Sequence, residues 1–160
     1  MERFRGEHYN TLDSKGRTSV PARLRSVFSA QYADERFFIT KNFTIKTDGG
    51  ETCRGLTIYP FADFLAIEEN FEQAKGLTLA EKNIYRRQIF APAVECTMDR
   101  QGRVLIPPTL RDYAGFGKEI IFVGMQRKIE LWDAAVWSKV SAHAEMNAPE
   151  DNIVLADIGI

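Results

Sequence analysis

Residues 9–28 and 95–116 of this chain carry two copies of one short pattern, and this internal repeat constrains the fold more than any other feature of the sequence. Six of fourteen aligned positions are identical, in the order Asp, Gly, Arg, Pro, Leu and Arg. The aligned segments are Leu12-Asp13-Ser14-Lys15-Gly16-Arg17-Thr18-Ser19-Val20-Pro21-Ala22-Arg23-Leu24-Arg25 and Met98-Asp99-Arg100-Gln101-Gly102-Arg103-Val104-Leu105-Ile106-Pro107-Pro108-Thr109-Leu110-Arg111. The repeat predicts two copies of one local architecture.

The start of each motif predicts a tight turn between two strands. Asp13 opens the first turn and Gly16 closes it, while Asp99 and Gly102 do the same in the second copy. An Asp side chain accepts hydrogen bonds from turn backbone, and Gly tolerates the left-handed conformation that follows. Because a type I turn followed by a left-handed residue commonly closes a hairpin, each copy is interpreted as strand, turn, strand.

The end of each motif predicts a helix. Pro21 and Pro107 stop the second strand and can start a helix in its first turn, where the missing N–H costs nothing. Each copy then continues with an apolar strand, a second strand and a second helix. The strands are predicted at residues 37–40 and 56–59 in copy one and at 120–123 and 129–132 in copy two.

Two further segments complete the pattern. Copy one has 13 more residues than copy two, mostly within residues 41–55, where Asp48-Gly49-Gly50 indicates a lengthened hairpin loop. Between the copies, Thr78 and Glu81 form a capping box that predicts a helix to about Phe90, where Pro92 enforces a stop.

We therefore predict an α+β fold with internal pseudo-symmetry. The first repeat is assigned to residues 7–63, a helical linker to 64–92, the second repeat to 93–136, and a C-terminal helix and tail to 137–160. A unit of 50 to 60 residues buries only ~60% of its unfolded surface. The two copies are therefore expected to stabilise each other in one compact body.

The distribution of charge points to nucleic acid although the net charge is only −1. Residues 1–25 hold six basic and three acidic residues, whereas the other 135 hold 15 basic and 19 acidic residues. The basic residues of the first segment are Arg3, Arg5, Lys15, Arg17, Arg23 and Arg25. A local excess of +3 is small, but several copies along one DNA would each displace counterions.

The sequence offers no starting point for catalysis, a metal site, a cofactor or a small-molecule substrate. Only His8 and His143 are present, and neither has metal-ligand spacing from other candidate ligands. The G-x-S-x-G, P-loop and G-x-G-x-x-G motifs are absent. We expect no enzyme activity. With no signal peptide and no apolar run of 18 residues, a cytoplasmic protein without membrane attachment is expected.

The arginine that follows each turn has two interpretations. As structural residues, Arg17 and Arg103 pair with Asp13 and Asp99; as functional residues, they present a guanidinium suited to phosphate or to guanine edges. Lys15 at the first turn favours DNA contact by Arg17. Gln101 replaces that lysine in copy two, so Arg103 is assigned a structural role together with Asp13, Gly16, Asp99 and Gly102.

At this point the sequence resembles the MraZ family of bacterial transcriptional regulators. The resemblance covers the chain up to about residue 146 and depends on two D-x-x-G-R motifs, each followed by a proline-led helix. It is also carried by Phe4-Arg5-Gly6, Val20-Pro21, Glu95-Cys96-Thr97-Met98 and Ile106-Pro107. It implies an AbrB-like fold in which two β-hairpin units interlock as a swapped-hairpin, barrel-like body with flanking helices.

The resemblance further implies a nucleoid-associated, ring-shaped homo-oligomer that binds short direct repeats in double-stranded DNA. The expected target lies upstream of the division and cell-wall gene cluster, including the protein's own gene, and the expected outcome is usually repression. Carried over by residue, Lys15 and Arg17 contact DNA, with Arg5 close by; Arg3 and Arg23 are added from the basic segment. The extra Glu2-Arg3 and the loop around Gly49 depart from the family pattern.

Two alternatives stay open at the level of sequence. An antitoxin-like protein-interaction module is the competing function, because AbrB-like folds also serve as antitoxins and fold alone does not fix function. The tail from Asn147 to Ile160 reads as a polar linker followed by Ile153-Val154-Leu155. It is compatible either with disorder or with docking on a neighbouring subunit.

Overall fold

The computed structural model describes all 160 residues and has the α+β composition predicted from the sequence. Its strands are β1 (Glu7–Thr11), β2 (Arg17–Ser19), β3 (Phe37–Lys41), β4 (Ile45–Lys46), β5 (Thr52–Cys53), β6 (Leu56–Pro60), β7 (Val94–Cys96), β8 (Arg103–Leu105), β9 (Glu119–Met125) and β10 (Lys128–Asp133). Its helices are α1 (Ala22–Gln31), α2 (Phe61–Gln73), α3 (Leu79–Tyr85), α4 (Pro108–Ala114), α5 (Ala134–Asn147) and α6 (Ile153–Asp157). Helix α3 continues as a π-helical turn over Arg86–Phe90.

Six strands form one antiparallel sheet that joins the two copies of the repeat. The strand order is β1-β9-β10-β6-β3-β7, while β2 pairs with β8 and β4 with β5 in separate two-stranded ribbons. Strands of one copy thus pair with strands of the other: β1 with β9, β7 with β3, and β6 with β10 at the centre. The two copies share one sheet.

The prediction of a simple hairpin in each motif is wrong beyond the turn itself. The strands on either side of the first turn, β1 and β2, pair with β9 and β8 rather than with each other. Residues 120–123 of β9 are buried on both faces of the sheet, and unpaired backbone groups there would be costly. Strand β1 satisfies the outer edge of β9, which draws it away from β2.

The expectation of a barrel-like body also needs correction, because the sheet does not close. Strands β1 and β7 form its two edges, and each has one sheet neighbour. Closure would require these edges to pair with each other, and they do not. The two-unit pseudo-symmetry and the division into residues 7–63, 64–92, 93–136 and 137–160 stay predictions.

The predicted ends of several helices are confirmed. Helices α1 and α4 begin directly after Pro21 and Pro107, and Gly115 ends α4 with a left-handed φ of 63°. The capping box at the start of α3 is complete, because Glu81 N–H donates to the Thr78 hydroxyl and Thr78 N–H donates to the Glu81 carboxylate.

The sheet is covered on both faces. Alternate side chains of the sheet enter a core of 17 residues, which also contains Leu24, Val27 and Phe28 of α1 and Leu110 and Ala114 of α4. On the opposite face, α5 covers a smaller core around Trp132, and α2 inserts Phe64 against Phe38 with ring centroids 4.6 Å apart. None of the helices combines the length and apolar character needed to span a membrane.

The extra residues of copy one form the β4–β5 ribbon, as the composition of residues 41–55 predicted. This ribbon lies against α5. Lys139 Nζ is 2.5 Å from Glu51 Oε2, and Asn147 Nδ2 donates to Asp48 Oδ2 at 3.1 Å. The insertion thereby holds the C-terminal end of α5.

Candidate nucleic-acid interface

The first turn is organised by the carboxylate of Asp13. Its Oδ1 accepts from the backbone N–H groups of Lys15 at 2.9 Å and Arg17 at 2.8 Å, and its Oδ2 accepts from Arg17 Nε at 2.8 Å. Gly16 closes the turn at φ 82°, the left-handed region that glycine tolerates. Three donors therefore fix both the turn and the direction of the Arg17 side chain.

The second turn repeats this geometry around Asp99. Its Oδ1 accepts from the backbone of Gln101 at 2.8 Å and Arg103 at 2.9 Å, and its Oδ2 accepts from Arg103 Nε at 2.9 Å. Gly102 has φ 76°. The two Asp–Arg pairs thus have the same hydrogen bonds within 0.1 Å.

These hydrogen bonds stabilise the ionised carboxylates. Donation from the backbone N–H of Arg17 is the main cause that lowers the pKa of Asp13 to about 2, and the Arg17 side chain and the Lys15 backbone add to it. The corresponding bonds from Arg103 and Gln101 lower the pKa of Asp99. Both turns therefore keep their charged acceptor throughout the neutral range.

The β2–β8 ribbon brings the two arginines onto one exposed face. Arg17 is opposite Leu105 and Ser19 is opposite Arg103 in the antiparallel register, so the arginines are diagonal neighbours. Diagonal positions lie ≈ 7–8 Å apart. Thr18 and Val104 are buried on the other face, whereas the Arg17 and Arg103 side chains are 36% and 37% exposed.

The terminal nitrogens of both arginines are available to a ligand. Each guanidinium uses Nε to bind its Asp, and neither makes an internal hydrogen bond through its Nη atoms. A guanidinium held in this way presents two N–H donors in a fixed plane, the arrangement that recognises phosphate oxygens or the O6 and N7 atoms of guanine.

Two further arginines support the turns across the two copies, a relationship that sequence reasoning missed. Arg111 of α4 lies over Gly16, and Arg25 of α1 lies over Gly102. A methyl group at Gly102 would come within 2.5 Å of Arg25 Nη1, and one at Gly16 would overlap the Arg111 guanidinium. Both arginines are identical positions of the repeat, but the repeat does not show which copy each one contacts.

The other predicted DNA contacts divide into a near and a distant group. Lys15 is exposed at the tip of the first turn, and Arg23 is exposed in the first turn of α1, just after β2. Arg3 and Arg5 lie instead at the opposite end of β1, where Phe4 pairs with Gln126. Five strand residues span ~17 Å. Within one subunit, the structure therefore does not bring Arg3 or Arg5 next to Lys15 and Arg17.

Comparisons with known proteins agree with the sequence resemblance. A family model described as "MraZ protein, putative antitoxin-like" matches residues 89–156. A protein of Geobacter metallireducens named "Transcriptional regulator MraZ" is 45% identical over 157 residues, which cover 98% of this chain and 99% of the relative. Proteins with the same name from Geobacter sp. (strain M21) and Desulfitobacterium hafniense (strain DSM 10664 / DCB-2) are 46% and 37% identical, covering 98% and 89% of this chain and 99% and 89% of theirs. Identity at this level over nearly the full length of both chains shows that this chain belongs to the MraZ family.

Proposed function

We propose that this protein is a non-catalytic transcriptional regulator that binds DNA through the exposed face of the β2–β8 ribbon. The observation that carries the proposal is the placement of Arg17 and Arg103 on that face with their Nη atoms unbonded. The names of the relatives support a regulatory role.

The ribbon suits the major groove of B-form DNA in size and in chemistry. The groove is ≈ 12 Å wide and admits a two-stranded β-ribbon, and Arg bound to guanine O6 and N7 is its commonest specific contact. Because Asp13 holds Arg17, the guanidinium loses less conformational freedom on binding than a mobile side chain would. Arg17 is assigned to base recognition and Lys15 to phosphate.

The remaining basic residues are assigned by their distance from the ribbon. Arg23, at the start of α1, is placed on the phosphate backbone beside the groove. Arg5 and Arg3, at the far end of β1, are assigned to a more distant stretch of backbone or to DNA bound by a neighbouring subunit. Arg103 retains the structural role of holding Asp99, with Asp13, Gly16 and Gly102 shaping the turns.

One subunit offers few phosphate contacts, so the proposal includes a ring-shaped homo-oligomer on direct repeats. Linked sites raise overall affinity through effective concentration without any new kind of contact. Following the family, the target is the region upstream of the division and cell-wall gene cluster, including the protein's own promoter, and the outcome is repression. A cytoplasmic, nucleoid-associated location accompanies this role.

The direct test is a gel-shift titration of purified protein on DNA from upstream of its own gene. Arg17→Ala is expected to lower affinity at least about tenfold, since a bidentate Arg–guanine pair contributes ≈ 1–3 kcal/mol of discrimination. Lys46→Ala is the matched control, because Lys46 is exposed in β4, outside the ribbon. Undiminished binding by Arg17→Ala, with the oligomer intact, would overturn the assignment.

A second candidate function is an antitoxin-like module that binds a partner protein. The description of the matching family model favours it, since it includes the term antitoxin-like. This function predicts a stoichiometric partner that co-purifies with the protein. It also predicts no shift of upstream DNA at physiological salt, so the same gel-shift experiment separates the two candidates.

A further inference from the structure

An apolar groove opens on the side of the molecule formed by α2, α3 and the π-helical turn. Its volume is about 360 Å³, and all eight lining residues are hydrophobic. The main contributors are Phe43, Tyr59, Ile67, Phe71, Tyr85 and Phe90. Phe43 and Ile67 are 59% and 37% exposed, so solvent reaches the groove. This volume is within the range of pockets that bind an apolar ligand.

The C-terminal segment Pro149–Ile160 has the opposite problem, because its apolar side chains have nothing to pack against. Ile153, Val154, Ile158 and Ile160 are 80%, 67%, 66% and 84% exposed. Every hydrogen bond of α6 joins residues within this segment. An amphipathic helix of this type buries its apolar face in a groove of another surface.

The two surfaces also carry opposite charge. Residues 149–160 contain three acidic and no basic residues, whereas residues 74–87 of the groove-forming segment contain four basic and one acidic residue. At the groove, Lys82 Nζ is 5.7 Å from the Phe71 ring centroid and Lys128 Nζ is 5.8 Å from that of Tyr59. Both ammonium groups stand beside apolar lining residues, where they can face the acidic residues of the tail.

We propose that residues 149–160 of one subunit dock into this groove on a neighbouring copy of the chain. Asn147 is held at the tip of the β4–β5 ribbon by Asp48, whereas Phe43 lies before the base of that ribbon, so the tail leaves the body away from the groove of its own subunit. Two different patches on each subunit then meet head to tail, which closes into a ring when the rotation permits. The inference rests on the proposed homo-oligomer and not on DNA contact.

The first test is deletion of residues 149–160, which leaves α5 and the Asn147–Asp48 contact in place. Light scattering coupled to size exclusion is expected to show a smaller assembly than for the full chain. Arg17→Ala is expected to keep the full mass and lose DNA binding, so failure of the docking and failure of the DNA interface are distinguishable. A full-length chain that is monomeric at micromolar concentration would overturn the docking.

The second test measures docking directly. A fluorescent peptide of residues 149–160 is titrated with the deleted protein and followed by anisotropy. Ile67→Glu is expected to weaken binding at least tenfold. Leu65→Glu is the matched control, because Leu65 is on the same helix and 43% exposed but lies outside the apolar groove. Equal effects of the two variants would contradict docking in the groove.

The combined outcomes also separate other occupants. Peptide binding to the groove together with unchanged mass on deletion would identify a contact within one chain, which overturns docking between subunits. A foreign protein that co-purifies only with the full-length chain, while the mass of the purified protein is unaffected by deletion, would assign the tail to a different partner.

Discussion

Arg111 lies over Gly16 so closely that a methyl group on this glycine would overlap the guanidinium. The helix of the second motif therefore supports the turn of the first. Arg25 and Gly102 make the converse contact, and the β2–β8 ribbon lies between the two turns. Each turn that presents an arginine to solvent is thus held by a helix of the other copy.

The first prediction concerns Gly16→Ala. A left-handed conformation costs a residue with a Cβ atom about 1–2 kcal/mol, and at Gly16 the methyl group must also displace Arg111. Gly50→Ala is the control, because Gly50 has a similar φ of 80° but no neighbour within 4 Å of the added methyl group. Thermal unfolding should show a larger loss for Gly16→Ala, and equal losses would mean that Arg111 adjusts without cost.

The second prediction tests the contact from the side of the arginine. Arg111→Ala removes the guanidinium, so adding Gly16→Ala to it should cost only what the left-handed backbone costs at Gly50. The double-mutant cycle for Gly16 and Arg111 should therefore show a coupling free energy within the 0.5–3 kcal/mol range for residues in contact. Urea unfolding of the four proteins measures this coupling, and additive effects would argue against the contact.

The third prediction follows from the low pKa of Asp13. Its folded value is about 2 against an ordinary value of 3.8, so its charge stabilises the folded state fully above about pH 4. This contribution is lost as the pH falls through that interval. Asp13→Asn should therefore flatten the dependence of the urea midpoint on pH between 5 and 2. Parallel curves for the two proteins would show that the charge of Asp13 does not stabilise the turn.

Local features of this fold were predictable because short-range chemistry decides them. Asp13 and Gly16 form a turn wherever the chain goes next, and the capping box at Thr78 needs only residues three positions apart. The strand partners were not predictable in the same way. Strand β1 pairs with β9 because a buried strand over 100 residues away needs its edge satisfied, and the turn sequence contains no record of that need.

The candidate interface shows the same limit. The sequence identifies Asp13–Arg17 and Asp99–Arg103 as equivalent pairs, but only the register of β2 and β8 puts both arginines on one face. The position of Arg5 was misleading for a related reason. It is ten residues from Lys15 in sequence, yet an extended strand between them separates the two side chains.

The fourth prediction concerns the buried carboxylate of Glu130 near the centre of the sheet. Its Oε2 accepts from Asn42 Nδ2 at 2.9 Å, and its Oε1 accepts from Trp132 Nε1 at 3.0 Å. Glu130→Leu leaves both donors buried without an acceptor, at a cost of about 1–3 kcal/mol each. Glu130→Gln keeps one amide oxygen and should lie between this variant and the wild type in urea unfolding. An unchanged midpoint for Glu130→Leu would contradict this account.

The fifth prediction separates the roles of Arg17 and Arg103. Their carboxylate contacts and exposed fractions match, so Arg17→Ala and Arg103→Ala should lower the thermal midpoint by similar small amounts. Their effects on DNA should differ, because Lys15 stands at the tip of the first turn and Gln101 at the tip of the second. Affinity for upstream DNA should fall more for Arg17→Ala than for Arg103→Ala.

Exchanging the two turn tips tests the cause of that asymmetry. If the lysine is responsible, Lys15→Gln should bring the DNA affinity of an otherwise wild-type protein down, and adding Gln101→Lys should restore part of it. The slope of log affinity against log salt reports the number of phosphate contacts, and it should fall with Lys15→Gln and recover in the exchanged protein. Equal DNA defects for Arg17→Ala and Arg103→Ala, with no effect of the exchange, would mean that both arginines contact DNA equally across the ribbon.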